Sequence, residues 1–258
     1  MPKLDRDGVS LYYEVHGEGP ALLLTHGFSA TSQMWKGQID TLAPHFTVIT
    51  WDMRGHGQSD YPADLAAYSE AATVADMAAL LDKVGARKAV IGGLSLGGYM
   101  SLAFHLAHPE RTRALLIIDT GPGYKNDKAR EGWNASALAR AEAYEAKGLG
   151  DLAKASAEVR AAHHRDATGL ARAARGMLTQ RDARVIESLP AIQVPAVVIV
   201  GEKDKPFLAA SDYMAAKIPG AKKVVIPNAG HAANIDNPEA FNAALDEFLK
   251  AARLEEAA

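Results

Sequence analysis

Residues 88–107 read KAVIGGLSLGGYMSLAFHLA, and this stretch decides the fold of the chain. An apolar run leads into the pentapeptide GLSLG at residues 93–97, and a helical pattern follows over residues 98–107. This order is typical of a sharp turn from a buried strand into a helix, which holds a serine in a strained conformation with its hydroxyl exposed. Glycines on both sides leave room for the strand and the helix to pack. Ser95 is therefore the predicted nucleophile.

Similar apolar runs recur along the chain and alternate with longer helical patterns. Runs without polar alternation are typical of strands buried on both faces, and their alternation with helices predicts a mostly parallel sheet flanked by helices. Helices are also predicted from Ser69 to Gly85 and from Asn237 onward, where Pro238 suits the first helical position. The predicted strands are residues 9–15, 21–25, 46–50, 88–93, 114–118, 196–200 and 223–226.

Residues 121–190 break this alternation. They contain no strand-like run, only helical sequence rich in alanine, arginine and glutamate, and they are too long to form a bare loop. We predict a helical cap here, inserted into an α/β core made of residues 1–120 and 191–258. The alternative that these helices simply flank the sheet stays open.

Composition sets limits on the function. The chain has 258 residues, of which 48% are hydrophobic and 23% charged, as in soluble globular proteins. A net charge of −3 gives no electrostatic reason to bind nucleic acid or an anionic membrane, and no apolar run approaches the ~18 residues of a membrane span. The absence of cysteine excludes disulfides and thiolate catalysis. We expect a cytoplasmic enzyme with a small-molecule substrate; whether it forms a homo-oligomer is left open.

A serine hydroxyl needs a base with a pKa near the working pH. His231 follows the apolar run of residues 223–226, in a turn before the last helix, and carboxyl ends of parallel strands are where open α/β sheets place their sites. Asp204 follows another predicted strand and completes the chain order Ser, Asp, His. His231 is the predicted base and Asp204 the predicted acid, with Asp119 and Glu202 as rivals.

The site also needs donors for a developing oxyanion and a pocket for the substrate. The N–H of Leu96, directly after the nucleophile, and the N–H of Phe28, after the strand of residues 21–25, are the predicted oxyanion donors. No spacing of side chains matches a metal site, and we expect neither a metal nor an organic cofactor. Apolar side chains near the nucleophile and in the cap are the other predicted pocket residues: Trp35, Leu94, Trp133 and Met177.

Several motifs together resemble the α/β-hydrolase superfamily over essentially the whole chain. They are HGF at residues 26–28, DMRGHGQS at 52–59, GLSLG at 93–97, GEKD at 201–204 and GH at 230–231. The resemblance implies an α/β-hydrolase fold in which residues 52–59 form a structural loop. Haloalkane dehalogenases and epoxide hydrolases of this superfamily have an aspartate where this chain has Ser95. The chain looks like the group of small esterases, enol-lactonases and carbon–carbon-bond hydrolases with a helical cap.

The leading functional hypothesis is hydrolysis of small to medium carboxylic esters through an acyl-enzyme intermediate. A second hypothesis is a lactonase, or a carbon–carbon-bond hydrolase or lyase that uses the same three residues. A third, from another class, is a ligand receptor that retains the triad and turns over slowly. Resemblance in fold does not choose among the three.

Overall fold

The centre of the molecule is one sheet of eight strands in this computed structural model, which describes residues 2–254. Strand order is β1-β2-β4-β3-β5-β6-β7-β8 for β1 (Lys3–Arg6), β2 (Val9–His16), β3 (Ala21–Thr25), β4 (Thr47–Trp51), β5 (Ala89–Leu94), β6 (Thr112–Ile118), β7 (Ala196–Gly201) and β8 (Lys222–Ile226). The β1/β2 and β2/β4 pairs are antiparallel, and all other pairs are parallel. This confirms the predicted mostly parallel sheet.

Helices cover both faces of the sheet. They are α1 (Lys36–Leu42), α2 (Glu70–Lys83), α3 (Leu96–Ala107), α4 (Asp127–Lys147), α5 (Ala157–Arg160), α6 (Thr168–Gly176), α7 (Arg184–Ser188), α8 (Lys205–Lys217), α9 (Ala233–Asp236) and α10 (Pro238–Leu254). Leu23 belongs to the apolar cluster under α2 and α3, whereas Leu22 and Leu24 belong to the cluster under α1 and α10. Successive strand residues point to opposite faces, so both faces are buried and the strand sequence is apolar throughout.

The helix starts agree with the sequence. The Ser69 hydroxyl accepts a hydrogen bond from the N–H of Ala72 at the start of α2, and the Asn237 side chain accepts one from Ala240 at the start of α10. Such caps satisfy first-turn N–H groups that have no partner within the helix. None of the helices in the described part of the chain is long and apolar enough to cross a membrane.

Two edge strands differ from expectation. β1 was not predicted, because Lys3–Arg6 is mostly polar and pairs only with β2 at the edge of the sheet. β8 was predicted as a strand buried on both faces, which is wrong: Val225 is 44% exposed. As the last strand it pairs with β7 alone, so its side chains lie partly in solvent.

Residues 121–190, all described by the structure, form α4 to α7 and short turns, with no strand. α4 packs against α6, and α7 packs against α3. The segment thus connects β6 to β7 with helices alone. Whether it forms a separate unit with the boundaries given above stays a prediction.

Candidate active site

Ser95 lies in the turn between β5 and α3, with φ 56° and ψ −117°. Positive φ is strained for serine, and such strain is concentrated at functional sites. A Cβ at Gly97 would lie 2.1 Å from the carbonyl oxygen of Thr25, and one at Gly93 would lie 2.4 Å from Gly97. Only glycine therefore fits on either side of Ser95, which is the physical reason for the pentapeptide pattern.

The backbone of Ser95 is fixed by the neighbouring strand. Its N–H donates to the carbonyl of Ile118 at 2.9 Å, and its carbonyl accepts from the Thr120 hydroxyl at 2.7 Å. Leu96 is the first residue of α3, so its N–H lies in the first turn, where donors have no partner within the helix. The positive end of the helix dipole lies at the same place. The turn can therefore stabilise negative charge next to Ser95.

His231 and Asp204 are brought together by two loops that follow β7 and β8. The Nδ1 atom of His231 lies 2.8 Å from Oδ2 of Asp204. Asp204 is 4% exposed, whereas the His231 side chain is 25% exposed. The loops also touch through their backbones, since the N–H of Lys203 donates to Ala229 at 2.8 Å. A proton on Nδ1 donates to the carboxylate and leaves Nε2 to exchange protons with a substrate.

The rival carboxylates have other partners. Asp119, fully buried at the end of β6, accepts from the N–H of Gly201 at 2.7 Å and from that of Ala233 at 3.4 Å. Burial raises the pKa of the Asp119 carboxyl well above its usual value. Glu202 accepts from the N–H of Asn228 at 2.8 Å. Of the three candidates, Asp204 is the one within hydrogen-bond distance of the imidazole.

Two pockets meet at Ser95. The larger, of about 550 Å³, is lined by Ser95, Asp204 and His231 together with Phe28 and polar residues of the cap segment. The smaller, of about 90 Å³, is lined by Ser95 and Leu96 but not, among the described residues, by His231. Its other walls are mainly apolar or aromatic and include Tyr99, Tyr124, Trp133, Met177, Leu178 and Phe207. Phe28 thus lines the larger pocket and Leu96 the smaller one; their role as oxyanion donors stays a prediction.

Two of the four predicted pocket residues line these pockets, and two do not. Trp133 lines both pockets and Met177 lines the smaller one. Trp35 and Leu94 are not among the described residues that line either pocket, so those two predictions are wrong. Both are fully buried in the apolar cluster under α1 and α10, because the Leu94 side chain points to that face of the sheet and Trp35 packs against the same face.

Sequence reasoning missed Phe207 and Tyr99 at this site. Phe207 stacks on His231 with ring centroids 5.1 Å apart and an interplanar angle of 24°. Its place in the first turn after Asp204 was the available signal. Tyr99 lies in the first turn after Ser95, and its hydroxyl donates to Glu70 at 2.8 Å. Tyr144 lines the larger pocket, with its hydroxyl 2.7 Å from that of Ser29.

Three histidines whose rings contact one another at an angle hold the loop that carries Phe28. His26 and His56 are 4.9 Å apart between ring centroids, and His56 and His164 are 5.8 Å apart. His56 Nε2 accepts from the N–H of Ser29, whereas His164 Nε2 donates to the Ser29 carbonyl. Burial lowers the pKa of all three, that of His26 to about 3. Neutral rings therefore brace this loop.

The second loop in this network is residues 52–59. The N–H of Met53 donates to His26 Nε2 at 2.9 Å, and that of Gly57 donates to His164 Nδ1 at 3.1 Å. The Asp52 carboxylate accepts from the backbone of Ser32 and of Gln58. The loop thus has the structural role that was predicted for it.

Comparison with known proteins agrees with this architecture. A model of the Alpha/beta hydrolase family matches residues 22–244. The 3-oxoadipate enol-lactonase 1 of Acinetobacter baylyi is 29% identical, over 95% of this chain and 95% of its own length. A thermophilic esterase from Thermogutta terrifontis has a TM-score of 0.82 and 29% identity, covering 98% of this chain and 99% of that one. The enol-lactonase from Burkholderia xenovorans LB400 has a TM-score of 0.79 and 26% identity, and the alignment covers 96% of this chain and 100% of that one.

The family match extends from β3 into α10 and includes the turn at Ser95 and both loops that carry Asp204 and His231. The sheet order, the flanking helices and the similar proteins all agree with this family match. The chain therefore belongs to the alpha/beta hydrolase family, and it is a hydrolase with the α/β-hydrolase fold.

Proposed function

We propose that this hydrolase cleaves carboxylic esters of small to medium substrates with Ser95 as nucleophile, His231 as base and Asp204 as the orienting acid. One observation carries the proposal. A partly exposed imidazole is paired at 2.8 Å with a buried carboxylate, on the wall of the same pocket that holds a serine with positive φ. Nucleophile, base and orienting group are the parts that acyl transfer requires.

In the first half of the reaction the Ser95 oxygen attacks the ester carbonyl carbon while His231 Nε2 takes its proton. Asp204 holds the other ring nitrogen and stabilises the imidazolium. The N–H groups of Leu96 and Phe28 bind the oxyanion, which is worth about 10²–10³ in rate for each donor. The carbon–oxygen bond to the leaving group then breaks, His231 returns the proton to the alcohol, and an ester of Ser95 remains.

Water completes the cycle. His231 takes a proton from a water molecule as its oxygen attacks the acyl carbon, and then returns a proton to Ser95 as the acid leaves. One ester and one water yield one acid and one alcohol. Every group that moves a proton belongs to the protein or to water.

The two pockets take different halves of the substrate. The leaving group must lie next to His231, which protonates it, and His231 lines the larger pocket. The acyl group must then occupy the smaller pocket, whose walls are mainly apolar. A volume of about 90 Å³ is several times the roughly 10–15 Å³ that one water needs, so it suits a short acyl chain.

A second candidate function is lactone hydrolysis. It is favoured by two relatives named as enol-lactonases that align with nearly the whole chain. A lactone is a cyclic ester, so the same attack by Ser95 opens it, and the alcohol stays attached to the acid. Carbon–carbon-bond cleavage and slow-turnover ligand binding remain the alternatives.

The test is a panel of acyl esters, lactones and thioesters assayed with the wild type and with Ser95→Ala. We expect the wild type to turn over short-chain esters and to be labelled by a fluorophosphonate on Ser95, as detected by mass spectrometry of the digested protein. Ser95→Ala should lose both the turnover of esters and the labelling. Full ester hydrolysis by Ser95→Ala, or no labelling of folded wild type, would refute the proposal. Turnover of lactones alone would select the second candidate.

A further inference from the structure

Glu158 is a buried carboxylate on the wall of the larger pocket. It is 3% exposed and lies in α5, which packs against α9, two residues beyond His231. Oε1 accepts a hydrogen bond from the Ser156 hydroxyl. Oε2 is buried and has no hydrogen-bond partner among the described residues. A buried carboxylate oxygen without a donor is destabilising, so such a group needs an explanation.

The charged neighbours on this pocket leave Glu158 unpaired. Asp204 pairs with His231, and Asp151 lies within 3.5 Å of Lys147 and 3.9 Å of Lys154. Arg140 lines the same pocket from the exposed side of α4, and no ion pair joins it to Glu158 within the described part of the chain. Among the residues that the structure describes, Glu158 is therefore a buried carboxyl group on this pocket that forms no ion pair with a cationic side chain.

We propose that Glu158 binds a protonated amine in the leaving group of the substrate. The inference rests on the proposed ester hydrolysis, because the alcohol half must lie beside His231, in the pocket that Glu158 lines. An ammonium N–H supplies the donor that Oε2 lacks and the positive charge that offsets its burial. The substrate class is thus an ester of an amino alcohol with a short, apolar acyl group.

The experiment compares two isosteric butanoate esters, the 2-(dimethylamino)ethyl ester and the 3-methylbutyl ester. They differ in one atom, N–H⁺ against C–H, and the amine is predominantly protonated at pH 7. We expect Glu158→Gln to lower the ratio of kcat/KM for the amino ester to that for the carbon ester at least about tenfold, chiefly through a higher KM. A hydrogen bond to a charged group is worth a factor of roughly ten to a hundred. The different reactivities of the two alcohols cancel in this comparison of ratios.

Asp151→Asn is the matched control. Asp151 is a second carboxylate on the same pocket, but it is exposed and lies near two lysines. Its removal also lowers the negative charge by one, and we expect the ratio to change less than twofold. An equal loss for both esters in Glu158→Gln would show that Glu158 has a purely structural role. An unchanged ratio, or equal effects of the two variants, would overturn the assignment.

Binding to the wild type gives a second measurement that needs no variant and no turnover. Calorimetry with 2-(dimethylamino)ethanol and with 3-methylbutanol should show tighter binding of the amine by about tenfold or more. Equal or weaker binding of the amine refutes the subsite. If the amine binds tightly while neither ester is hydrolysed, the subsite stands and the proposed ester hydrolysis fails. If the carbon ester is hydrolysed and the amine is not preferred, the proposed ester hydrolysis stands and the subsite fails.

Discussion

Lowering the pH should destabilise the protein through His26, and the environment of the His26 ring determines the size of this effect. The ring is fully buried, donates to the carbonyl of Gly27 and accepts from the N–H of Met53. Burial lowers its pKa from 6.5 to about 3. Between these two values the unfolded chain binds a proton that the folded protein does not, so the stability contributed by the neutral ring is lost as the pH falls below about 6.5.

The expected loss of unfolding free energy is a sizeable fraction of the net stability of a domain. Each pH unit within this window costs about 1.4 kcal/mol for one group, so acidification from pH 7.5 to 4.5 removes about 2.6 kcal/mol through His26 alone. Buried Asp52 and Asp76 have raised pKa values, which gives a pH dependence of the opposite sign. Comparing a variant with the wild type cancels those contributions.

The assay is equilibrium urea unfolding at pH 7.5, 6.5, 5.5 and 4.5, followed by tryptophan fluorescence. His26→Gln should be less stable at neutral pH, but its unfolding free energy should fall by about 2.6 kcal/mol less than that of the wild type over this range. His163→Gln, which changes an exposed histidine, serves as the control and should follow the wild-type curve. Parallel curves for His26→Gln and the wild type would refute the reasoning.

Three further predictions concern the site. Asp204→Asn should lower kcat by roughly 10⁴-fold, because an amide lacks the negative charge that stabilises the imidazolium and can hold the ring in the wrong tautomer. Asp119→Asn should lower kcat less than about tenfold, and equal losses in steady-state kinetics would contradict this. Gly97→Ala should lower the free energy of unfolding by about 3 kcal/mol or more, since its Cβ would lie 2.1 Å from the Thr25 carbonyl oxygen. Gly132→Ala, which has open space around it in α4, should raise the free energy of unfolding by about 0.5–1 kcal/mol in the same urea assay. Met177→Ala should shift the kcat/KM optimum toward longer acyl esters, and an unchanged optimum would remove Met177 from the acyl pocket.

The fold could be predicted because its determinants are local. An apolar run followed by a glycine-flanked turn and a helical pattern describes the chain around Ser95, and the close approach of Gly97 to Thr25 explains why the pattern tolerates so little variation. The loops after β7 and β8 lie at one edge of the sheet for topological reasons, which is why the sequence could predict that Asp204 and His231 lie close together. β1 could not be found, because an exposed edge strand of four residues needs no apolar pattern.

The pocket was harder to predict, because sequence proximity to Ser95 does not determine which face of the sheet a side chain joins. Leu94 precedes Ser95 directly and yet is buried under α1 and α10. Glu158 carries no sequence signal, since the other glutamates of residues 121–190 are all exposed: Glu131, Glu142, Glu145 and Glu187. Its burial depends on the packing of α5 against α9, a contact between residues more than 70 positions apart.

Glu158 and His164 both belong to residues 121–190, but substitutions of the two should affect the site in different ways. The hydrogen bonds that hold Ser95, Asp204 and His231 join residues of the sheet and its loops, so changes at Glu158 should alter substrate choice without moving these three residues. His164 differs, because it accepts from Gly57 and donates to Ser29 beside the predicted oxyanion donor Phe28. A substitution there should slow all substrates alike, since uniform loss of oxyanion stabilisation lowers kcat regardless of the leaving group. We therefore expect residues 121–190 to influence specificity through Glu158 and to support the chemistry through His164.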